Sequence, residues 1–201
     1  MFHLMPAGII SPLSFQRFMI NNMDCQKLVA CALELGFNAA EIIPTYDIVL
    51  SEEFRKTCAD NRCGLYNKCW MCPPDVGEID VLMKEVKSYS FGLLYQSIVE
   101  LEDSFDIEGM TNGGYKHSMC GRELAKKLLP QLPNRTLHLN CGGCRFCKRC
   151  AKQDGKPCRA PDNALSSLEA YGIDVYQTVK KTKLKYVNGT NTVTYFGMIL
   201  F

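Results

Sequence analysis

The chain has 201 residues, 47% hydrophobic and 22% charged, the make-up of one globular domain able to bury about 70% of its unfolded surface without crosslinks. A net charge of +2 excludes a general nucleic-acid or membrane-surface binder, since both need a strong basic excess. Twelve cysteines are the one abnormal count.

Residues 1–20, MFHLMPAGIISPLSFQRFMI, are apolar but lack the basic start and small-residue cleavage site of a signal peptide. Pro6, Pro12 and Arg17 interrupt them, and no apolar run approaches the ~20 residues of a membrane span. Residues 1–22 therefore read as an N-terminal extension, with Met19 and Met23 as alternative starts and the domain proper over 23–201. With no export signal the expected location is the cytoplasm, where disulfides are not expected and clustered cysteines read as metal ligands or redox centres.

From Asn22 the elements follow in order. Cys25, Leu28, Val29, Ala32 and Leu35 recur at helical spacing, with Gly36 closing the helix. EIIPTYDIVL (41–50) predicts a strand broken or placed at an edge by Pro44. Ser51 and the acids after it open a short helix. A cysteine loop, 58–74, precedes an amphipathic helix over 78–89. FGLLYQSIVEL (91–101) predicts a buried strand, and the glycine-bearing acidic stretch 102–114 predicts a loop. A helix follows over 115–129, stopped by Pro130, and a short strand over 136–140 enters the second cysteine cluster, 141–158. Helices are predicted over 162–172 and 174–184, then a final strand over 193–201 inside the sheet. The fold class is α/β, a single-domain sandwich with about four strands, helices packed on the sheet and two cysteine-rich loops.

The second cluster reads Cys141-GG-Cys144-RF-Cys147-KR-Cys150-AKQDGKP-Cys158. Two-residue gaps let successive thiolates turn around one cluster corner, and ferredoxin-type runs add a distal cysteine to hold a 4Fe–4S cluster. Cys144, Cys147 and Cys150 supply the triplet and Cys158 the distal ligand, with Cys141 a spare or the first of a shifted triplet. A structural zinc site is the alternative. Arg145, Lys148, Arg149, Lys152, Lys156 and Arg159 surround the thiols, with Asp154 the only acid in the stretch. Such cations favour the more reduced cluster, though a solvated basic loop reads equally well. The first cluster reads Cys58-ADNR-Cys63-GLYNK-Cys69-WM-Cys72-PP. Cys58, Cys63 and Cys72 are its three ligands, Cys69 is an uncertain fourth, and Trp70 either shields the site or packs in the core.

The segments CGLYNKCWMCPPDVG (63–77), LEDSFDIEGM (101–110), CRFCKRCAKQDGKPCRAPDNALSSLEAYGIDV (144–175) and NTVTYFGMILF (191–201) carry a resemblance. From about residue 23 onward the chain resembles the predicted metal-binding protein family of anaerobic bacteria and archaea. The resemblance implies iron–sulfur or other metal binding in the cytoplasm and no settled substrate. Its pattern falls on Cys58, Cys63, Cys72, Cys144, Cys147, Cys150 and Cys158, with Cys69 and Cys141 as additions.

Other residues carry less. Cys120 and His117 share a helix face and read first as a polar face, second as a reactive or ligating pair. Cys25 and Cys31 read as small core residues, His138 as a surface or satisfied histidine, and Asp103, Asp106 and Glu108 as a solvated loop.

The leading expectation is one or two 4Fe–4S clusters serving electron transfer with a redox partner. The alternatives are an enzyme whose three-cysteine cluster binds a small-molecule substrate at an open iron and a zinc-stabilised interaction module. Because α/β sites collect beyond strand ends, thiols of the two loops should approach within about 15 Å of each other.

Overall fold

The computed structural model describes residues 25–201; the N-terminal extension lies outside the described residues. Helix α1 (Cys25–Glu34) buries Leu28 and Ala32, one turn apart, and ends at Gly36 in the left-handed region. Strand β1 (Ala39–Pro44) stops at its proline and passes into a 3-10 turn over Thr45–Asp47. Helix α2 (Glu53–Ala59) leads into the first cysteine loop. Helix α3 (Ile79–Lys87), strand β2 (Phe91–Glu100), helix α4 (Ile107–Leu128) and strand β3 (Leu137–Asn140) follow. Beyond the second cysteine loop come strand β4 (Ser166–Ser167), helix α5 (Val175–Val179) and strand β5 (Thr192–Leu200).

The sheet has five strands in the order β1-β2-β5-β3-β4. The pairs β1–β2, β2–β5 and β5–β3 are antiparallel, and β3–β4 is parallel. Side chains alternate across the pleat. Leu93, Tyr95 and Ile199 face α1 and α4, where Leu28, Ala32, Leu124 and Leu128 close one core. Leu94, Met198 and Leu200 face α3 and the 168–179 segment, where Leu82, Val86, Leu168 and Ile173 close the other. The result is the α/β sandwich expected from the sequence, with the last strand in mid-sheet.

Three segments differ from expectation. The stretch 102–114 is loop only as far as Asp106, whose carboxylate caps α4 by accepting from the Gly109 amide at 2.7 Å. The glycines that suggested a loop sit where helix meets sheet: a Cβ on Gly113 would lie 3.0 Å from Val99 Cγ2, and one on Gly114 3.2 Å from Tyr195 Cε1. They admit the close approach of α4 rather than break it. Residues 162–172 are not a helix. Ser166 and Ser167 pair with Leu139 and Asn140 to satisfy the free edge of β3, and 3-10 turns flank them. This is the fifth strand, and its two residues are too few for any period to show. The helix predicted over 174–184 is confined to Val175–Val179.

Candidate metal centres

Both cysteine loops are shaped by local backbone chemistry. At the end of β3, the Asn140 side chain accepts from the Cys141 amide at 2.7 Å, and its carbonyl accepts from Leu168 at 3.0 Å. The chain then turns through Gly142 (φ 59°) into Gly143 and Cys144. The first loop turns at Asn61, Gly64 and Asn67, all with positive φ, and is closed by Asn67 N–H donating to the Pro73 carbonyl at 2.9 Å. Within it, Cys72 N–H donates to the Cys69 carbonyl at 3.0 Å.

The thiols fall into two groups. Cys58, Cys63 and Cys72 line a cavity of about 320 Å³, together with Phe54, Tyr66 and a wall of Gly142 and Gly143. Cys144, Cys147, Cys150 and Cys158 line a separate narrow cleft. Cys69 joins this second group, although it belongs to the first loop. It is 1% exposed, its Sγ lies 4.0 Å from the Cys144 carbonyl, and its thiol interacts with those of both Cys144 and Cys72. The loops meet at Gly143, where a Cβ would stand 2.3 Å from Leu65 Cδ1 and 3.1 Å from Cys72 Sγ. Cys141 is in neither group; its Sγ lies 3.9 Å from the Gly114 carbonyl in a third cavity of about 350 Å³. Among the described residues, no three Cys, His, Asp or Glu side chains converge tightly enough to hold a single ion as they stand; the thiols form walls of clefts instead.

Crowding and burial raise the thiols of Cys58, Cys69, Cys141 and Cys144. The contact with Cys144 favours the Cys69 thiolate, but the Cys72 thiol and burial outweigh it and push Cys69 up to about 12. Its contact with Cys69, then burial, pushes Cys144 up. Burial raises Cys58 against the pull of Arg55, and burial with Glu169 nearby lifts Cys141 to about 12. Sulfurs packed together without a cation repel as thiolates, and a bound cation reverses that balance by taking them deprotonated. The surrounding cations are partly engaged: Arg149 and Arg159 both pair with Asp154, and Lys152 pairs with Asp75. Lys152 also stands 4.8 Å over the Trp70 ring. Trp70 lines the second cleft and donates its indole N–H to the Lys156 carbonyl at 3.0 Å, so it covers the thiols and ties the two loops together.

His117 and His138 are embedded in the α4–sheet interface. Ser97 Oγ lies 2.8 Å from His117 Nδ1, Tyr95 Oη lies 2.7 Å from His138 Nε2, and the Tyr95 and His117 rings stack at 5.4 Å. His117 is 2% exposed, so its helix face is core rather than polar surface. Cys31 and Cys120 pack at the edge of the same core, and Asp103 and Asp106 are spent on local backbone amides.

Burial lowers His117 to about 4 and His138 to about 3. Both are therefore neutral in the fold, and the unfolded chain takes up more protons once the pH falls below about 6.5. Stability is complete above that pH and declines toward pH 4. For His117 alone the loss is on the order of 2–3 kcal/mol. Urea midpoints of metal-free protein between pH 7.5 and 4.5 should show the decline, and His117→Gln should flatten it; an equal slope in the variant rules out His117 as the cause.

A family model described as predicted metal-binding protein (DUF2284) matches residues 41–201, well over half of the chain. The chain belongs to this family. Both cysteine loops of the DUF2284 domain lie inside the match, and α1 precedes it. No curated protein and no solved structure matches the chain. Among the described residues no helix is long and apolar enough to cross a membrane.

Two residues at these centres were not singled out in the sequence. Glu169 lines both the three-thiol cavity and the cavity of Cys141, and burial raises its carboxyl pKa. Met71 lies between the second cleft and a further cavity under α4. Neither carries a spacing signal: Glu169 sits in a segment that reads as an ordinary amphipathic helix, and Met71 is one residue in a cysteine pair.

Proposed function

We propose that this protein is an iron–sulfur protein with two unlike centres, one closed and one open. The observation that carries this reading is the sorting of the thiols: Cys69 faces the Cys144–Cys158 cleft, leaving Cys58, Cys63 and Cys72 alone around a cavity. The donor set fits, because soft thiolates at this density suit iron–sulfur clusters or zinc and no oxygen-seeking ion. Cys144, Cys147, Cys150 and Cys158 would hold the closed cluster, with Trp70 and Phe146 excluding water. Cys58, Cys63 and Cys72 would hold the other, in a cavity that Phe54, Tyr66 and Glu169 also line. Clusters of this kind supply one-electron exchange and, where an iron lacks a fourth protein ligand, a Lewis-acid position.

The meeting of the loops at Gly143 favours electron passage between the two centres. The open cavity favours a small-molecule substrate at the end of that path, and a redox protein as the electron source. A reducing compartment, the cytoplasm, suits a chain with twelve cysteines. Anaerobic purification with iron, sulfide and zinc analysis and a visible spectrum tests the assignment. Iron and sulfide in equal amounts with a broad visible band are expected, whereas zinc without visible absorption overturns it.

A further inference from the structure

Arg122 of α4 is only 5% exposed, and a guanidinium stays charged in proteins. Its Nε donates to the Asn163 carbonyl at 2.9 Å, and its Nη1 to the Ser118 carbonyl and hydroxyl at 2.9 and 2.7 Å. Nη2 has no partner, and among the described residues no carboxylate lies within ion-pair distance of it. A buried charge held only by neutral groups is costly, and native proteins supply a counter-charge. On the side of the thiol-lined cleft Arg122 stands 5.2 Å over the Phe146 ring.

Arg122 lines a cavity of about 280 Å³ between α4, β3 and residues 162–166, at the small end of the range for ligand pockets. Ser166, 1% exposed, lines the same cavity, and its Oγ also has no partner. Arg122 and Ser166 thus border one space, and each carries a buried polar atom that no protein group partners. Lys126, paired with Glu123 at 2.7 Å, stands at its rim, while Leu129, Leu137 and Tyr171 form an apolar wall. Asp162 is the one carboxylate among the lining residues, and it is exposed and unpaired with Arg122.

We propose that this cavity binds a small organic acid, its anionic headgroup on Arg122 and Ser166 and its carbon skeleton on the wall of Leu137 and Tyr171. A carboxylate or phosphate headgroup would satisfy the guanidinium, and the apolar wall selects an organic body over an inorganic ion. Met71 and Ala164 line both this cavity and the thiol-lined cleft, so the bound acid lies beside the closed centre. The site stands on polar groups of the chain and is independent of which metal the cysteines take.

Titration calorimetry and thermal unfolding of the full chain test it, with butyrate, benzoate and inorganic phosphate as probes and sodium chloride at matched ionic strength as control. Benzoate or butyrate should bind saturably and raise the unfolding temperature beyond the chloride control. Ser166→Ala should weaken binding about tenfold, the loss of one hydrogen bond to a charged group. Asp162→Asn, a surface change, should tighten it about threefold by removing the opposing charge. Arg122→Gln should abolish it, with circular dichroism as the check on folding. No saturable response beyond chloride, equal affinity in Ser166→Ala and Asp162→Asn, or saturation by phosphate without benzoate would each overturn the proposal.

Discussion

On the proposed two-cluster reading, replacing Cys147 with serine should remove about half of the bound iron, because the cluster loses the central thiolate of its triplet. Cys147 lines the second cleft and is not among the residues of the three-thiol cavity, so the other centre keeps its donors. Cys69, a fifth sulfur in the same cleft, is already in contact with Cys72 and Cys144. Cys25→Ser and Cys31→Ser are the controls: both lie on α1, where Cys31 packs against the core of Leu28 and Phe37. They should leave iron unchanged and cost modest stability as partly buried polar swaps. Iron and sulfide analysis on anaerobically purified protein decides the matter. Full iron in Cys147→Ser contradicts the triplet; complete loss shows that the two centres assemble only together.

Gly197→Ala should cost about 3 kcal/mol or more, the upper range for forcing extra volume into a packed core. Gly197 and Tyr95 are cross-strand partners in β5 and β2, and the Tyr95 ring lies over the glycine. A Cβ there would stand 2.3 Å from both Cζ and Oη of the ring. The ring cannot yield: Tyr95 is 0% exposed, stands 4.5 Å from Phe37, stacks on His117 and holds His138 through its hydroxyl. A methyl group therefore displaces the sheet or breaks the Tyr95–His138 bond. For a domain of this size the melting temperature should fall by about 6–12 °C. Gly155→Ala, at a site with nothing within 4 Å, is the contrast and should cost only its backbone strain at φ 63°. A wild-type melting temperature in Gly197→Ala would show that the sheet relaxes around Tyr95 at no cost.

The strands were legible where burial imposes a pattern. Residues 91–101 and 193–201 are long apolar runs, and β2 and β5 occupy them nearly end to end. Pro44 marked the end of β1 because it cannot donate to a ladder. The misread segments depended on partners distant in the chain. Gly109, Gly113 and Gly114 look like loop residues until Asp106, Val99 and Tyr195 are seen to need the space. Ser166 and Ser167 become a strand only because β3 presents a free edge.

The cysteine spacings likewise located both loops, yet spacing along one loop cannot show that Cys69 faces the other. The Cys69-Trp70-Met71-Cys72 turn divides its two thiols between two clefts, a fact of tertiary packing. Arg122 gave no signal at all, since a buried arginine and a surface arginine are the same letter on an amphipathic helix.

The place of β5 bears on how the chain is made. It bonds to β2 on one side and β3 on the other, yet it is the last strand in chain order, and every cysteine precedes it. As the polypeptide is made, the β1–β2 and β3–β4 pairs lack their common neighbour in the sheet until residues 192–200 are added. Until then the two cysteine loops are linked by contacts outside the sheet, among them Trp70 with Lys156 and Asp75 with Lys152. Closing the sheet that positions both cysteine loops thus falls to a strand that itself contains no cysteine.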